Sequence, residues 1–182
     1  MKIPALLFGE AIEVAPQLLG WRLTSRIDGS VTEIALTEVE AYSDEDPASH
    51  SYGGVRPRAV VMFGPPGSLY VYRSYGVHWC ANVVCGPKGK GAAVLLRGGV
   101  PRRGVAEMVR RRGRPDRLAT GPGNLTQALG ITGDHNGIEL FARDSPLHLA
   151  PGSPPPAYLQ TPRIGITKAA DKPWRFVAAG GL

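Results

Sequence analysis

Cysteine is scarce in this chain: two in 182 residues, Cys80 and Cys85. Five positions apart, they would face opposite sides of a shared strand, a poor placement for a disulfide. The C-x4-C spacing without a matching histidine pair also argues against a zinc site. Long apolar runs are missing too. No stretch approaches the roughly 18 residues that a membrane span requires, and no charged-then-apolar leader precedes a cleavage site. Core-type residues begin at once (Ile3, Leu6, Leu7, Phe8), so a cytoplasmic protein away from the membrane is expected. No internal repeat occurs, and no linker is long enough to separate domains. A length of 182 residues with 43% hydrophobic content suits one domain, residues 1–182, with a sizeable core.

Acids are scarce as well, but only beyond residue 50. Residues 1–50 hold nine acids and three bases, a net of −6; the remaining 132 hold eighteen bases and six acids, a net of +12. Eight arginines fall between Arg97 and Arg117, against Glu107 and Asp116 alone. Arginine clustered this way fits a phosphate-binding face. On charge alone, a solvated helix with a basic loop fits equally well.

What is present reads as short elements punctuated by glycine and proline. Val14–Leu19 suits a short helix with Pro16 in its first turn. Trp21–Ile27 and Val31–Ala41 read as strands joined through Asp28-Gly29, a hairpin signal. Ser43–Val61 reads as a loop with one turn near Pro47–His50 that Asp44, Glu45 or Asp46 could cap. Leu69–Arg73 and Val77–Val84 form a second hairpin with Ser74-Tyr75-Gly76 at its tip. Ala92–Leu96 reads as a buried strand delivering Arg97 at its end. Gly104–Arg112 suits a helix with Val105, Met108 and Val109 inward and Arg110–Arg112 outward. Gly121-Pro122-Gly123-Asn124 opens a helix over Leu125–Leu129. Short strands are expected at Gly137–Ala142, Pro146–Ala150, Arg163–Ile166 and Trp174–Ala178, with a Pro-rich loop at Ser153–Ala157. The fold expected is α+β: a single domain with a curved, mainly antiparallel sheet and short flanking helices.

The stretch from Thr37 to Asn82 concentrates the chemistry. Ile34, Leu36, Glu38, Glu40 and Tyr42 share one strand face, which starts apolar and ends acidic. Such a strand leaves the core for a polar pocket or, more commonly for a lone Glu, for solvent. Tyr70 and Tyr72 repeat the same two-residue spacing. Tyr75 at a hairpin tip cannot be in the core, so it is a turn residue or a wedge for a base step. Asn82, in an apolar strand, satisfies neighbouring backbone or faces a ligand. The acids with His50 match no recognised metal-ligand spacing.

The ordered pieces E-A-Y, A-x-H, M-F-G-P-P-G-x-L-Y-V-Y-x-x-Y-G, N-V-V, V-L-L-R, G-P-G-N-L-T-Q-A-L-G-I and P-R-I-G-I-T-K-A-A-D-K-P-W-R-F resemble the alkyladenine (3-methyladenine) DNA glycosylase family. The resemblance runs from about Leu18 to Phe176. It implies a base-excision enzyme that flips damaged purines from duplex DNA and hydrolyses the N-glycosidic bond, with no cofactor and no metal. It implies Glu40 as general base, Arg97 as a residue positioning water or lesion, and Tyr42, His50 and Tyr72 as walls around the flipped base. Tyr75 resembles the intercalating residue, and Asn82 the residue crowding the amine of guanine. No lysine stands at the nucleophile position, so hydrolysis without strand cleavage is implied. Arg58, Arg102, Arg103, Arg110 and Arg111 are the expected DNA contacts, and a monomer on double-stranded DNA with alkylated or deaminated purines is the expected complex. The chain departs from the family pattern at Ala59-Val60 after Arg58, where Asn is usual, and at Asn124 and Thr126.

Two other readings compete. A non-catalytic nucleic-acid-binding module explains the arginines and Tyr75 but leaves the Glu40/Tyr42 pairing without a purpose. A metal-dependent hydrolase would use the acids with His50, yet lacks ligand spacing.

Overall fold

The long strand β2, Ser30–Tyr42, sets the architecture of the computed structural model, which describes residues 2–180. It carries the β-branched Val31, Thr32, Ile34, Thr37 and Val39, and it follows β1 (Arg22–Ile27) through a two-residue turn. Asp28 and Gly29 both take positive φ (54° and 70°) there, which matches the right-handed twist of the flanking strands. The other strands are β3 (Leu69–Ser74), β4 (His78–Val84), β5 (Ala93–Arg103), β6 (Leu147–Ala150), β7 (Ala157–Thr161) and β8 (Arg175–Ala179). The order is β3-β4-β5-β2-β1-β6, every pairing is antiparallel, and β8 joins β2 while β7 joins β8. On one side, then, β2 forks. Its first half pairs β1, and Glu38–Glu40 pair β8. The expected α+β class with a curved antiparallel sheet holds.

Among the described residues, three short α-helices flank the sheet: α1 (Ala11–Gln17), α2 (Val105–Arg112) and α3 (Pro122–Leu129). α1 begins three residues earlier than expected, which moves Pro16 from the first turn to the last. The helix tolerates it because Leu18 and Leu19 close it with tight bonds to Ala15 and Pro16 carbonyls, and because Ala11, Val14 and Ala15 are buried. α3 docks on β4 through the hydroxyl of Thr126, which donates to the Trp79 carbonyl at 2.8 Å. Gly104, before α2, has φ 73°, and a Cβ there would lie 2.3 Å from the Val31 carbonyl oxygen. Only glycine permits that approach.

Several expectations are corrected. β5 runs through Gly98, Gly99 and Pro101 to Arg103, so Arg97 lies mid-strand and Arg102 and Arg103 are on it too. Pairing with β2 sustains the strand where local propensity fails. Residues 137–142 and 163–166 are irregular, apart from an isolated bridge between Ser68 and Glu139. The Pro-rich loop gives way to the unexpected β7, and a 3-10 helix spans Pro57–Phe63 within and beyond the expected loop. Val105 is 48% exposed instead of inward.

One buried cluster links Leu7, Leu18, Ile34, Leu36, Leu69, Leu96, Met108 and Leu129 with their neighbours. A smaller one gathers Ala59, Met62, Tyr70, Val84 and Ala93. Cys80 and Cys85 are buried and free.

Candidate active site

Strand register assembles a row that sequence spacing cannot. Tyr70 pairs with Asn82, Asn82 with Leu95, and Leu95 with Glu40, so one line crosses β3, β4, β5 and β2. Cross-strand partners share a face, so Tyr72 (two on from Tyr70) and Tyr42 (two on from Glu40) lie on it as well. Arg97 falls between Leu96, opposite Val39, and Gly98, opposite Glu38; it is the extra residue of a bulge. Bulges re-aim side chains beside sites, and this one brings Arg97 onto the acids of β2.

Glu40 is fully buried. Its Oε1 accepts the Ile164 N–H at 2.9 Å, its Oε2 accepts the Tyr42 hydroxyl at 2.8 Å, and Arg97 Nε lies 3.4 Å away. Burial raises its pKa above the ordinary carboxylate value, while Arg97, the Ile164 N–H, Tyr42 and Arg163 pull the other way. A carboxylate offers about four acceptor sites, so Glu40 keeps acceptor capacity beyond these bonds. Glu38 stands behind Arg97, with Oε1 accepting from Arg97 Nε at 3.0 Å and from Arg175 Nε at 2.6 Å.

A cavity of about 590 Å³ is lined by Tyr42, His50, Tyr70, Tyr72 and Asn82 among others; Glu40 and Arg97 do not line it, and Glu40 is joined to it through its bond to Tyr42. Tyr70 and Tyr72 stack with centroids 5.6 Å apart, and His50 meets Tyr72 edge-on at 4.4 Å. His50 Nδ1 and the Tyr70 hydroxyl share a hydrogen bond of 2.9 Å. Burial, helped by the charge of Arg58, lowers the His50 pKa to about 4, so the ring is neutral at pH 7. Burial raises Tyr42 and Tyr72 strongly and Tyr70 to about 12, so all three stay protonated. Asn82 is buried and donates to the Tyr70 carbonyl at 3.0 Å. That leaves its amide oxygen for the cavity it lines.

Gly165, Ile166, Thr167 and Lys168 form another wall. Arg163 anchors that segment. Its guanidinium, fully buried, pairs with the equally buried Asp46 and donates to the carbonyls of Ala41 and Ala169. It also stacks 4.6 Å over Tyr42 and 5.2 Å over Trp174. Asp46 does cap the turn, accepting from Ala48 N, but its main partner is Arg163.

At the cavity mouth, Tyr75 is 88% exposed in the left-handed region (φ 48°), followed by Gly76 (φ 69°). Arg58 and Arg73 line the same mouth. The other arginines lie elsewhere. Arg103 pairs with Glu33, nine residues along β2 from Tyr42, a path of roughly 30 Å at ~3.3 Å per residue. Arg102 and Arg103 are exposed there. Arg110 makes two bonds to Glu107. Arg111 corrects the outward expectation: it is 8% exposed, pairs with Glu107 and donates to the Ile27 and Ala128 carbonyls. Its charge holds one carbonyl at the end of α3 and one at the end of β1, a role charge counting cannot distinguish from solvation.

A family model for methylpurine-DNA glycosylase matches residues 6–181. The chain belongs to that family. A protein of Rhodopseudomonas palustris (strain CGA009) is 54% identical over 166 residues, covering 90% of this chain and 78% of that one. One from Mycolicibacterium fortuitum is 52% identical, covering 89% and 86%, and one from Methanoculleus marisnigri is 50% identical, covering 99% and 96%. Each bears the name "Putative 3-methyladenine DNA glycosylase". The expectation of a DNA glycosylase is met at the level of the family.

Within this methylpurine-DNA glycosylase, sequence reading gave no site role to Arg163 or Trp174, placed Glu38 only on the face shared with Glu40, and gave Asp46 only as a possible cap or metal ligand. Glu38 carried a signal, since it shares the strand parity of Glu40 and Tyr42. Arg163 and Asp46 did not: they lie 117 positions apart. Among the described residues, no group of three His, Cys, Asp or Glu side chains could hold a metal ion, and no helix is long and apolar enough to cross a membrane.

Proposed function

We propose that this protein, acting as a monomer and a single domain, flips damaged purines out of duplex DNA and hydrolyses their N-glycosidic bond. The observation that carries the reading is a buried carboxylate, Glu40, held by Ile164 N–H and by Tyr42, whose side chain lines an aromatic cavity of about 590 Å³. Flipped bases are read by stacking and by edge hydrogen bonds, and Tyr42, Tyr72 and His50 supply the stacking surfaces. Glu40 orients a water and takes its proton as the oxygen attacks C1′. The C–N bond breaks, and the base leaves with the electron pair. Arg97 keeps the carboxylate ionised and in place.

Tyr75 fills the gap left in the stack. Its exposure and strained backbone fit a side chain retained for contact and not for packing. Asn82 limits the space beside the base and so disfavours guanine. The phosphate clamp belongs to the cations at the mouth, Arg58, Arg73 and Lys168, with Arg102 and Arg103 outside the footprint and Arg110 and Arg111 engaged within the protein. Substrates include 3-methyladenine, with 7-methylguanine, hypoxanthine and ethenoadenine as further candidates. The test is incubation with a duplex carrying one 3-methyladenine or hypoxanthine, then alkali. Strand scission only after alkali, at the lesion, is expected. Intact DNA with retained affinity would leave a binding module.

A further inference from the structure

Two carboxylates compete for one arginine beside the candidate base. Glu38 Oε1 accepts the Arg97 Nε–H at 3.0 Å and the Arg175 Nε–H at 2.6 Å. Glu40 Oε1 lies 3.4 Å from the same Arg97 nitrogen. That nitrogen carries a single hydrogen, and its hydrogen bond goes to Glu38. Glu40 Oε1 accepts the Ile164 N–H instead. Topology sets up the contest: Glu38 lies where β2 pairs with β8 on one side and with the bulge of β5 on the other. The side chains of Arg97 and Glu38 are only 11% and 15% exposed, so solvent screens the contest little.

We propose that Glu38 is a positioning residue, which holds the Arg97 hydrogen bond away from Glu40 and so keeps Glu40 a stronger base with acceptor sites to spare. The inference rests on the base-excision reading above. A hydrogen bond to the charged form of a carboxylate favours that form and lowers its pKa. Arg97 lends Glu40 its charge, the largest of the influences that act against burial, without adding that bond. The groups facing Glu40 are Glu38 and Tyr42 on β2, Arg97 on β5, Arg175 on β8, Cys80 on β4 and Arg163 after β7. Glu38 is the one other carboxylate among them, so it is the group that can outbid Glu40 for the arginine. A base bonded directly to Arg97 would take a proton from water less readily.

The test is the pH dependence of single-turnover excision from a duplex with one 3-methyladenine, for the wild type, Glu38→Gln, Glu38→Asp and Arg175→Gln. This base carries a positive charge while attached to the sugar and leaves without a further proton. The fall in rate at low pH therefore reports protonation of Glu40. His50, with a pKa of about 4, bonds to Tyr70 and keeps its own contribution in every variant. Glu38→Gln frees Arg97 to bond with Glu40, which should move the low-pH fall down by about one pH unit and lower the plateau rate. Glu38→Asp keeps an acid beside Arg97 and should hold the fall near its wild-type position. Arg175→Gln leaves Glu38 to Arg97 alone and should move the fall to higher pH. A Glu38→Gln enzyme slowed equally at every pH has lost only a tie between β5 and β8, which overturns the inference. An Arg175→Gln profile that does not move upward overturns it too. A wild type that excises no 3-methyladenine at any pH contradicts the base-excision reading itself. An active wild type whose profile ignores residue 38 contradicts the positioning role alone.

Discussion

Replacing Arg163 by methionine removes one side chain that ties together several segments of the molecule. The guanidinium joins Asp46 in the loop after β2, the Ala41 carbonyl on β2, the Ala169 carbonyl and the rings of Tyr42 and Trp174. Both members of its ion pair are fully buried. Methionine fills much of the volume but leaves the Asp46 charge in a dry site, and breaking a buried pair in this way costs about 3–5 kcal/mol. In a chain of this length each kcal/mol moves the melting temperature by roughly 2–4 °C, so a fall of roughly 6–20 °C is expected. Arg163→Met/Asp46→Leu removes the stranded charge and should regain most of that loss. It should not regain excision, because the segment that presents Ile164 N–H to Glu40 has lost its anchor. Thermal unfolding and single-turnover excision on the two variants separate these effects. A loss below about 1 kcal/mol in Arg163→Met, or recovery of both stability and activity in the double variant, would refute the reasoning.

Tyr75→Ala should leave the melting temperature nearly unchanged, since the ring is exposed on a strained backbone, while lowering the flipped fraction of a lesion base read by fluorescence; a large thermal loss would make Tyr75 structural. His50, with its pKa lowered from 6.5 to about 4, stabilises the fold fully above pH 6.5 and loses that contribution as pH falls toward 4, because the unfolded chain takes the proton first. His50→Gln should flatten stability against pH across that window relative to the wild type, and parallel curves would contradict the shift. For binding, neutralising Arg73 and Lys168 should each lower the salt slope of log K by about 0.9, whereas Arg102→Ser/Arg103→Ser should leave it unchanged. A reduced slope in the latter pair would return the clamp to the far end of the sheet.

Local chemistry made some of this structure legible before any coordinates. Asp28-Gly29 and Tyr75-Gly76 are turns because few residues other than glycine accept positive φ, and both hairpins form where they stand. The parity of Glu40 with Tyr42, and of Tyr70 with Tyr72, survives because a strand has a fixed period of two. What stayed hidden depends on register and distance. The row from Tyr70 to Glu40 exists only once three pairings are known, and the bulge at Arg97 belongs to two strands at once. β5 continues through Gly98, Gly99 and Pro101, residues that signal a break, because the bulged pairing with β2 accommodates them. The arginine cluster divides for a different reason. Composition counts charges, whereas Arg111 commits its own to Glu107 and to backbone carbonyls, and Arg110 pairs with Glu107 at the surface.

The most direct test of the account is Glu40→Gln, measured for affinity and single-turnover excision side by side on a duplex with one hypoxanthine. The variant keeps the shape and one acceptor oxygen but cannot take a proton from water, a contribution typically worth about 10²–10⁴ in rate. Binding and flipping should persist while excision falls by that range. Near-normal excision by Glu40→Gln would eliminate Glu40 as the base and contradict the mechanism built on it.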